Sequence, residues 1–172
     1  MRMLYFLAPM ILTGLILAAC HEPVETPKAQ DSVMQQLINE PVKTFALTQY
    51  DQHDISILND YDNRFNEMSD ATEDELIAMR EAGTLSEDFA LLRKRDNIGS
   101  ALIMLKDLDL KTEQGRYIQG IMYGYWQQQD QLYAARITGS NTLRQQDIAM
   151  QGIGHFLHAH QQLEHWQAQY QP

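Results

Sequence analysis

Four histidines lie close together near the C-terminus, and imidazole is a common ligand of zinc and copper. On a helix that advances about 100° per residue, three of them fall on a glutamine-rich face, namely His155, His158 and His165. His155 and His158 are three residues apart and could share one ion, whereas His165 lies about 10.5 Å beyond His158 along the axis. Two imidazoles make only half of a structural zinc site. A solvated or interface face rich in His and Gln stays open as the other interpretation, and His160 falls on the apolar side as a core residue.

Aromatic residues crowd another segment, residues 115–136, where they surround the glycines Gly120 and Gly124. They fall on more than one face of a helix, so some should be exposed, and Tyr and Trp often anchor protein interfaces. The candidate partner-binding residues are therefore Tyr123, Tyr125 and Trp126. The alternative is that these rings only pack between helices. The two glycines, four residues apart, predict close helix packing or a groove.

Residues 51–75 carry nine acidic side chains and one arginine. Asp60 and Asp62 are spaced like the first ligands of a calcium loop, but Arg64 and Phe65 stand where that loop needs an oxygen ligand and a glycine. We therefore reject a calcium site. The pattern predicts a solvated acidic helix face that could steer a basic partner.

No motif for catalysis is present in the sequence. It has neither a Gly-x-Ser-x-Gly nucleophile turn nor a phosphate-binding loop, and most Ser and Thr residues stand where helix caps are expected. We expect a protein that is not an enzyme and needs no cofactor. The formal net charge of −10 argues against a nucleic-acid partner.

Helices must position these residues, since no stretch alternates with the period of a strand. Leu58, Tyr61, Phe65 and Met68 form the apolar stripe of one helix, and the capping box of Thr72 and Glu75 predicts a separate helix through Ala82. Later boundaries are predicted by caps and glycines: Thr84 with Glu87 begins a helix to about Leu108, Thr112 or Asp109 begins one to Ile137, and Ser140 or Asn141 begins the last, from Thr142 to about Gln169.

The predicted fold is all-α, an up-down bundle of about four main helices with one or two short N-terminal helices. Short connections make neighbouring helices antiparallel. A short helix is expected from Asp31 or Ser32 to Asn39, stopped by Pro41. Residues 42–53 are ambiguous between a helix and an extended piece.

The N-terminal segment has the pattern of an export signal. Arg2 is followed by residues 4–19, which carry no charge and are too few to span a bilayer comfortably. The stretch Leu17-Ala18-Ala19-Cys20 resembles the lipobox of bacterial lipoproteins, and Cys20 is the only cysteine in the chain. With no second cysteine, the fold contains no disulfide.

The resemblance implies cleavage before Cys20 and attachment of acyl chains, including palmitate, to that residue. Two or more chains hold a protein stably on a membrane. His21 rather than Asp follows the cysteine, which in this class implies the outer membrane, with the domain facing the periplasm.

Three regions and a function follow as expectations. Residues 1–19 form the signal peptide, residues 20–30 the lipidated cysteine and a flexible proline-containing tether, and residues 31–172 a single helical domain. We expect a lipid-anchored envelope lipoprotein that binds a protein partner as a scaffold or escort, with no catalysis. The alternative is a periplasmic lipoprotein that binds metal through the C-terminal histidines.

Overall fold

The computed structural model describes residues 40–140 and 143–170. Their secondary structure is four α-helices, which confirms the predicted all-α up-down bundle: α1 (Asp51–Glu81), α2 (Glu87–Lys106), α3 (Glu113–Ile137) and α4 (Leu143–Ala168). None of these helices combines the length and hydrophobicity needed to cross a bilayer. The predicted signal peptide, Cys20, the tether and the short helix of residues 31–39 lie outside the described residues.

The first helix is one continuous element of 31 residues, so the predicted break at Thr72 is wrong. The Thr72 hydroxyl donates to the carbonyl of Met68 at 2.9 Å, one turn earlier, instead of capping a new helix. Leu76 is buried, so packing continues across the expected boundary. The predicted end at Gly83 is confirmed: this residue has a φ of 70°, and the next two backbone N–H groups bond to the carbonyl of Met79.

The N-terminal caps of α2 and α3 lie at or within two residues of the predicted positions. Ser86, not Thr84, caps α2 by accepting a hydrogen bond from the Phe89 N–H at 3.2 Å. Of the two caps predicted for α3, Thr112 and Asp109, the structure uses Thr112, which accepts from the Gly115 N–H at 2.9 Å.

The core lies where α1, α3 and α4 meet the end of α2. α1 contacts each of the other helices, and α3 packs against both α2 and α4. The buried cluster consists of Leu58, Tyr61, Leu105, Leu110, Ile118, Met122, Ala159, Leu163 and Trp166. The predicted stripe on α1 is confirmed for its two buried members, Leu58 and Tyr61.

The orientation of α4 differs from the expected one. The structure buries Gly152, Ala159 and Trp166 and leaves the predicted apolar side exposed, including Phe156 at 37%. Glycine and alanine on the buried face allow α3 to approach closely, since a Cβ at Gly152 would lie 3.0 Å from the Gln128 side chain. The face that α4 packs against the bundle is therefore not its most hydrophobic one.

The prediction of close packing at Gly120 and Gly124 is wrong. A Cβ at Gly120 would meet nothing within 4 Å, and one at Gly124 would meet only a ring atom of His155 at 3.9 Å. The close approach on α3 is at Gly115, where a Cβ would lie 2.7 Å from the Asp54 carboxylate.

A segment without regular secondary structure, residues 40–48, contacts α3 and α4 before α1 begins. The buried Gln162 side chain holds it, accepting from the Lys43 N–H and donating to the Lys43 carbonyl, both at 2.7 Å. The ring of Phe45 lies 5.3 Å from that of Tyr117. Residues 42–48 of the ambiguous segment 42–53 therefore form no helix, and α1 starts at Asp51.

Candidate functional site

An aromatic cavity of about 90 Å³ lies between α1, α3 and α4. We call it the aromatic pocket, and it is lined by Tyr61, Asp62, Phe65, Asn66, Met122, Tyr125, Trp126, Phe156 and His160. Three helices therefore contribute to one concave surface, which is the usual setting of a binding site in a helical bundle.

Aromatic rings form a continuous wall around this pocket. Each ring lies next to another at an offset or tilted angle, with centroid distances that are typical of stabilising ring pairs or slightly shorter. The successive contacts are Tyr61–Phe65 at 6.3 Å, Phe65–Trp126 at 4.5 Å, Trp126–Tyr125 at 4.6 Å, Tyr125–Phe156 at 5.1 Å and Phe156–His160 at 4.3 Å. The wall is held by ring-to-ring packing, so its shape exists before any ligand arrives.

Helical spacing places these rings together. Tyr61 and Phe65 are four residues apart on α1, and Phe156 and His160 are four apart on α4, so each pair shares one helix face. Tyr61 is buried at the core side. Phe156 is more than a third exposed, so the pocket opens to solvent along α4.

Asp62 is the acidic group of the pocket, and it is half-buried. Within the described part of the chain, no group donates a hydrogen bond to its carboxylate. Burial raises the pKa of Asp62, and the charge of protonated His160 opposes that shift. The ionised carboxylate thus lacks hydrogen-bond donors among the described residues. It can accept hydrogen bonds from N–H groups of a ligand or bind a cation of the ligand.

Two tyrosine hydroxyls of the pocket stay neutral. Burial raises the pKa of Tyr61 and of Tyr125 above the ordinary tyrosine value. Neither phenol therefore supplies a negative charge at neutral pH, which leaves Asp62 as the anionic group in the lining.

A second cavity of about 170 Å³ adjoins the first on the other side of the Phe65–Trp126 pair. Its lining is polar, and Lys94 is paired there with Glu73 at 2.7 Å. The amide oxygen of Asn97 is buried without a hydrogen-bond partner among the described residues. The two cavities share Phe65, Tyr125 and Trp126 in their linings.

A larger depression is an open groove of about 550 Å³ between the start of α1 and the end of α4. Its lining is mainly short polar side chains, and Asn59 already accepts a hydrogen bond from Gln167 at 2.7 Å. We place the candidate site at the smaller aromatic pocket because that pocket is more enclosed and brings a charged group among rings.

The predicted aromatic residues divide between two environments. Tyr125 and Trp126 both line the aromatic pocket. Tyr123 lines neither of the two adjoining cavities and packs partly buried against the core. Residues 123 and 125 are two positions apart, so their side chains point to nearly opposite faces of α3.

The histidines proposed as metal ligands have separate surroundings, and the predicted solvated face is wrong for His158. His158 is only 2% exposed, with Nε2 3.2 Å from the Tyr117 hydroxyl and 4.0 Å from Glu40. His165 is exposed beside Gln169, and Nδ1 of His155 is buried without a partner among the described residues. The described part of the chain contains no group of three or more His, Cys, Asp or Glu side chains that could hold a metal. Metal binding by two of these histidines stays a prediction.

The predicted solvated acidic face is wrong for Asp51 and Asp54, which are buried. Both carboxylates accept several hydrogen bonds: Asp51 accepts from the Thr48 hydroxyl and N–H and from the Tyr170 hydroxyl at 2.6–3.1 Å. Burial alone would raise the pKa of Asp51, but these bonds together hold it below its ordinary value. These acids join the connecting segments to the bundle.

Sequence reasoning missed the role of four pocket residues, namely Asp62, Phe65, Phe156 and His160. A signal was present in the sequence, since Tyr61/Phe65 and Phe156/His160 are aromatic pairs at helical spacing. Which pair faces which helix depends on the rotation of α4, and the sequence pattern indicated the wrong rotation.

Comparison with protein-family models, with curated proteins and with solved structures finds no match for this chain.

Proposed function

We propose that this chain is a lipoprotein of the cell envelope, held at the outer membrane by acyl chains on Cys20, whose helical domain binds a protein partner without catalysing a reaction. The observation that carries the proposal is the aromatic pocket. Enclosed, ring-lined cavities with few polar groups are typical sites for an inserted side chain of a partner.

Exposed apolar side chains surround the pocket on α4. Ile153, Phe156 and Leu157 are each more than a third exposed on the same side of that helix. Burial of such side chains on association contributes roughly 25 cal/mol for each Å² removed from water. The pocket with its apolar rim therefore favours a protein segment over a small polar solute.

A site-specific photocrosslink tests this function. The photoreactive amino acid p-benzoylphenylalanine is placed at Phe156, on the pocket, or at Ile103 on α2, which is 65% exposed and lines none of the cavities described above. In intact cells we expect one defined envelope protein to be captured from position 156 and not from position 103. Equal capture at both positions, or none at 156, contradicts the proposal.

The identified partner allows a second measurement. Phe156→Ala should weaken its affinity at least about 10-fold, as expected for removal of an interface anchor. Ile103→Ala is the matched control and should leave the affinity unchanged.

The membrane attachment has its own test. Cells grown with labelled palmitate should yield labelled wild-type protein and unlabelled Cys20→Ser variant. The wild type should fractionate with outer membranes and the variant should not. Unlabelled wild type would contradict the lipoprotein proposal while leaving the partner site untouched.

A further inference from the structure

We propose that the aromatic pocket receives a lysine side chain of the partner protein, with the alkyl chain between the rings and the ammonium group at the Asp62 carboxylate. This inference rests on the proposed function and names the group that the site recognises. The rings, a carboxylate that receives no hydrogen bond from the described residues and the charge of the surrounding surface support it.

The rings provide the first argument. A cation within about 6 Å of the face of Trp, Tyr or Phe is attracted by the negative charge of that face, and several rings around one cation act together. Tyr61, Phe65, Tyr125, Trp126 and Phe156 all line a cavity of about 90 Å³. An apolar ligand would use these rings only for packing, whereas an alkyl chain that ends in a cation uses both their area and their charge distribution.

Asp62 provides the second argument, and it distinguishes between cations. A half-buried carboxylate without hydrogen-bond donors lacks part of the stabilisation that water would give it. A lysine ammonium carries three N–H donors, while a quaternary ammonium such as a choline headgroup carries none. The carboxylate therefore favours a lysine side chain over a trimethylammonium headgroup.

Among the residues that line the pocket around Asp62, His160 is the one that can carry a positive charge. The titratable groups that face it are Tyr61 on its own helix, Tyr125 on α3 and His160 on α4. Two basic side chains outside the pocket, Arg64 on α1 and Lys94 in the adjoining cavity, are already paired, Arg64 with Asp60 at 3.6 Å and Lys94 with Glu73 at 2.7 Å. No lysine or arginine of the described residues lines the pocket.

The charge of the whole chain supports a basic ligand. The formal net charge is −10, and α1 presents further acidic side chains to solvent near Asp62, including Glu67 and Asp70. Such a surface attracts a basic segment and increases its rate of association. The third argument thus selects the same sign of ligand charge as the first two.

The test uses the full-length, ¹⁵N-labelled protein in a nonionic maltoside detergent, which carries no ammonium group. The probes are the tripeptide acetyl-Gly-Lys-Gly-amide and its norleucine analogue, which keeps the alkyl chain and lacks the ammonium. We expect the lysine probe to shift the indole N–H resonance of Trp126 saturably, while the fully buried Trp166 serves as an internal reference. Norleucine should bind at least about 10-fold more weakly, and Asp62→Asn should weaken lysine binding by a similar factor.

Asp60→Asn is the matched control, because Asp60 is an aspartate on the same helix that is 66% exposed and does not line the aromatic pocket. It should leave lysine binding unchanged. A thermal melt of Asp62→Asn checks that the variant is folded before it is compared.

Three results would overturn the lysine proposal. Equal binding of the norleucine probe would show that the pocket recognises only an alkyl chain. Equal lysine binding by Asp62→Asn would remove the carboxylate from the site. Tighter binding of tetramethylammonium than of the lysine probe would assign the pocket to a lipid headgroup.

Failure of this inference and failure of the proposed function give different results. If the Phe156 photocrosslink persists in the Asp62→Asn variant and the lysine probe does not bind, the partner site stands and the lysine assignment falls. If the lysine probe binds through Asp62 while position 156 captures no protein, partner binding fails and a cation site remains.

Discussion

Asp54 and Asp62 are the same residue type on the same helix, two turns apart, and their surroundings are opposite. Asp54 is fully buried and receives N–H bonds from Lys111 and Thr112 and an O–H bond from Thr112 at 2.7–3.0 Å, with Nδ1 of His53 2.9 Å away. Asp62 is half-buried among rings and receives no hydrogen bond from the described residues.

The pKa directions follow this difference. Burial alone would raise the pKa of Asp54, but the bonds from His53, Lys111 and Thr112 outweigh burial and lower it. Burial dominates for Asp62 and raises its pKa. A carboxylate that the fold satisfies completely is structural, whereas one that the fold leaves unsatisfied is available to a ligand.

Removal of the satisfied carboxylate should have the largest effect. Asp54→Ala removes the carboxylate before the start of α3 and leaves the Lys111 and Thr112 N–H groups without their acceptor. Because hydrogen bonds to a charged group contribute about 1.5–3 kcal/mol each, we expect a loss of about 3 kcal/mol or more in the free energy of unfolding. Urea denaturation monitored by circular dichroism measures it.

Asp54→Asn is the informative control for that variant. The amide keeps one acceptor oxygen and places an NH₂ group where donors converge, so an intermediate loss of stability is expected. A loss below about 1 kcal/mol for the alanine variant would contradict the structural role of Asp54.

A pair of glycine substitutions on α3 sharpens the same comparison. A Cβ at Gly115 would lie 2.7 Å from Oδ2 of Asp54 and 3.0 Å from the Thr112 hydroxyl oxygen, so Gly115→Ala should displace both groups and destabilise the protein by about 1–3 kcal/mol. Gly120→Ala meets nothing within 4 Å and should instead stabilise the helix by up to about 1 kcal/mol. Equal melting temperatures for the two variants would contradict the close contact at Asp54.

The fold was predictable where local signals act alone. Thr112 and Gly83 are cap residues whose backbone geometry decides helix ends, and both boundaries were predicted. Thr72 shows the limit, because a capping residue inside a helix can bond to the preceding turn when packing continues on both sides. The rotation of α4 was not predictable from hydrophobicity, since this helix buries Gly152 and leaves Phe156 more than a third exposed.

The site was predictable only in part, for the same reason. Tyr125 and Trp126 were identified from the aromatic content of α3 alone. Asp62 was assigned to the solvated acidic face, since its neighbours in the sequence do not reveal the rings of α4 that enclose it. A site lined by three helices can be predicted only when the rotation of each helix relative to the others is known. Local sequence patterns do not contain that information.

Gln162 extends the comparison to a neutral buried group. Its amide is fully buried and forms both of its described hydrogen bonds with the backbone of Lys43. Gln162→Leu should release residues 40–48 from α4 at a cost of about 1–2 kcal/mol and speed amide exchange at Lys43. Gln161→Leu, an exposed neighbour, is the matched control and should change neither quantity.

The smallest expected effect is a gain of stability in Asp62→Asn. Because the folded-state pKa of Asp62 is raised, folding favours the protonated form of this group and its ionisation opposes folding. The stability that the protonated group contributes is fully present below the unfolded value of 3.8 and is lost as pH rises through the folded pKa. At pH 7 the variant should therefore have a higher free energy of unfolding than the wild type and melt at a higher temperature. The gain should be less than about 1 kcal/mol, because a half-buried acid keeps part of its hydration. The difference in free energy of unfolding should shrink as pH falls toward 3.8.

Asp54→Asn should lose stability at pH 7 instead of gaining it, since the lowered pKa of Asp54 stabilises the fold above the unfolded value of that pKa. A loss of stability in Asp62→Asn at pH 7 would mean that the fold satisfies Asp62 as it does Asp54, and that no carboxylate is left in the pocket for a ligand.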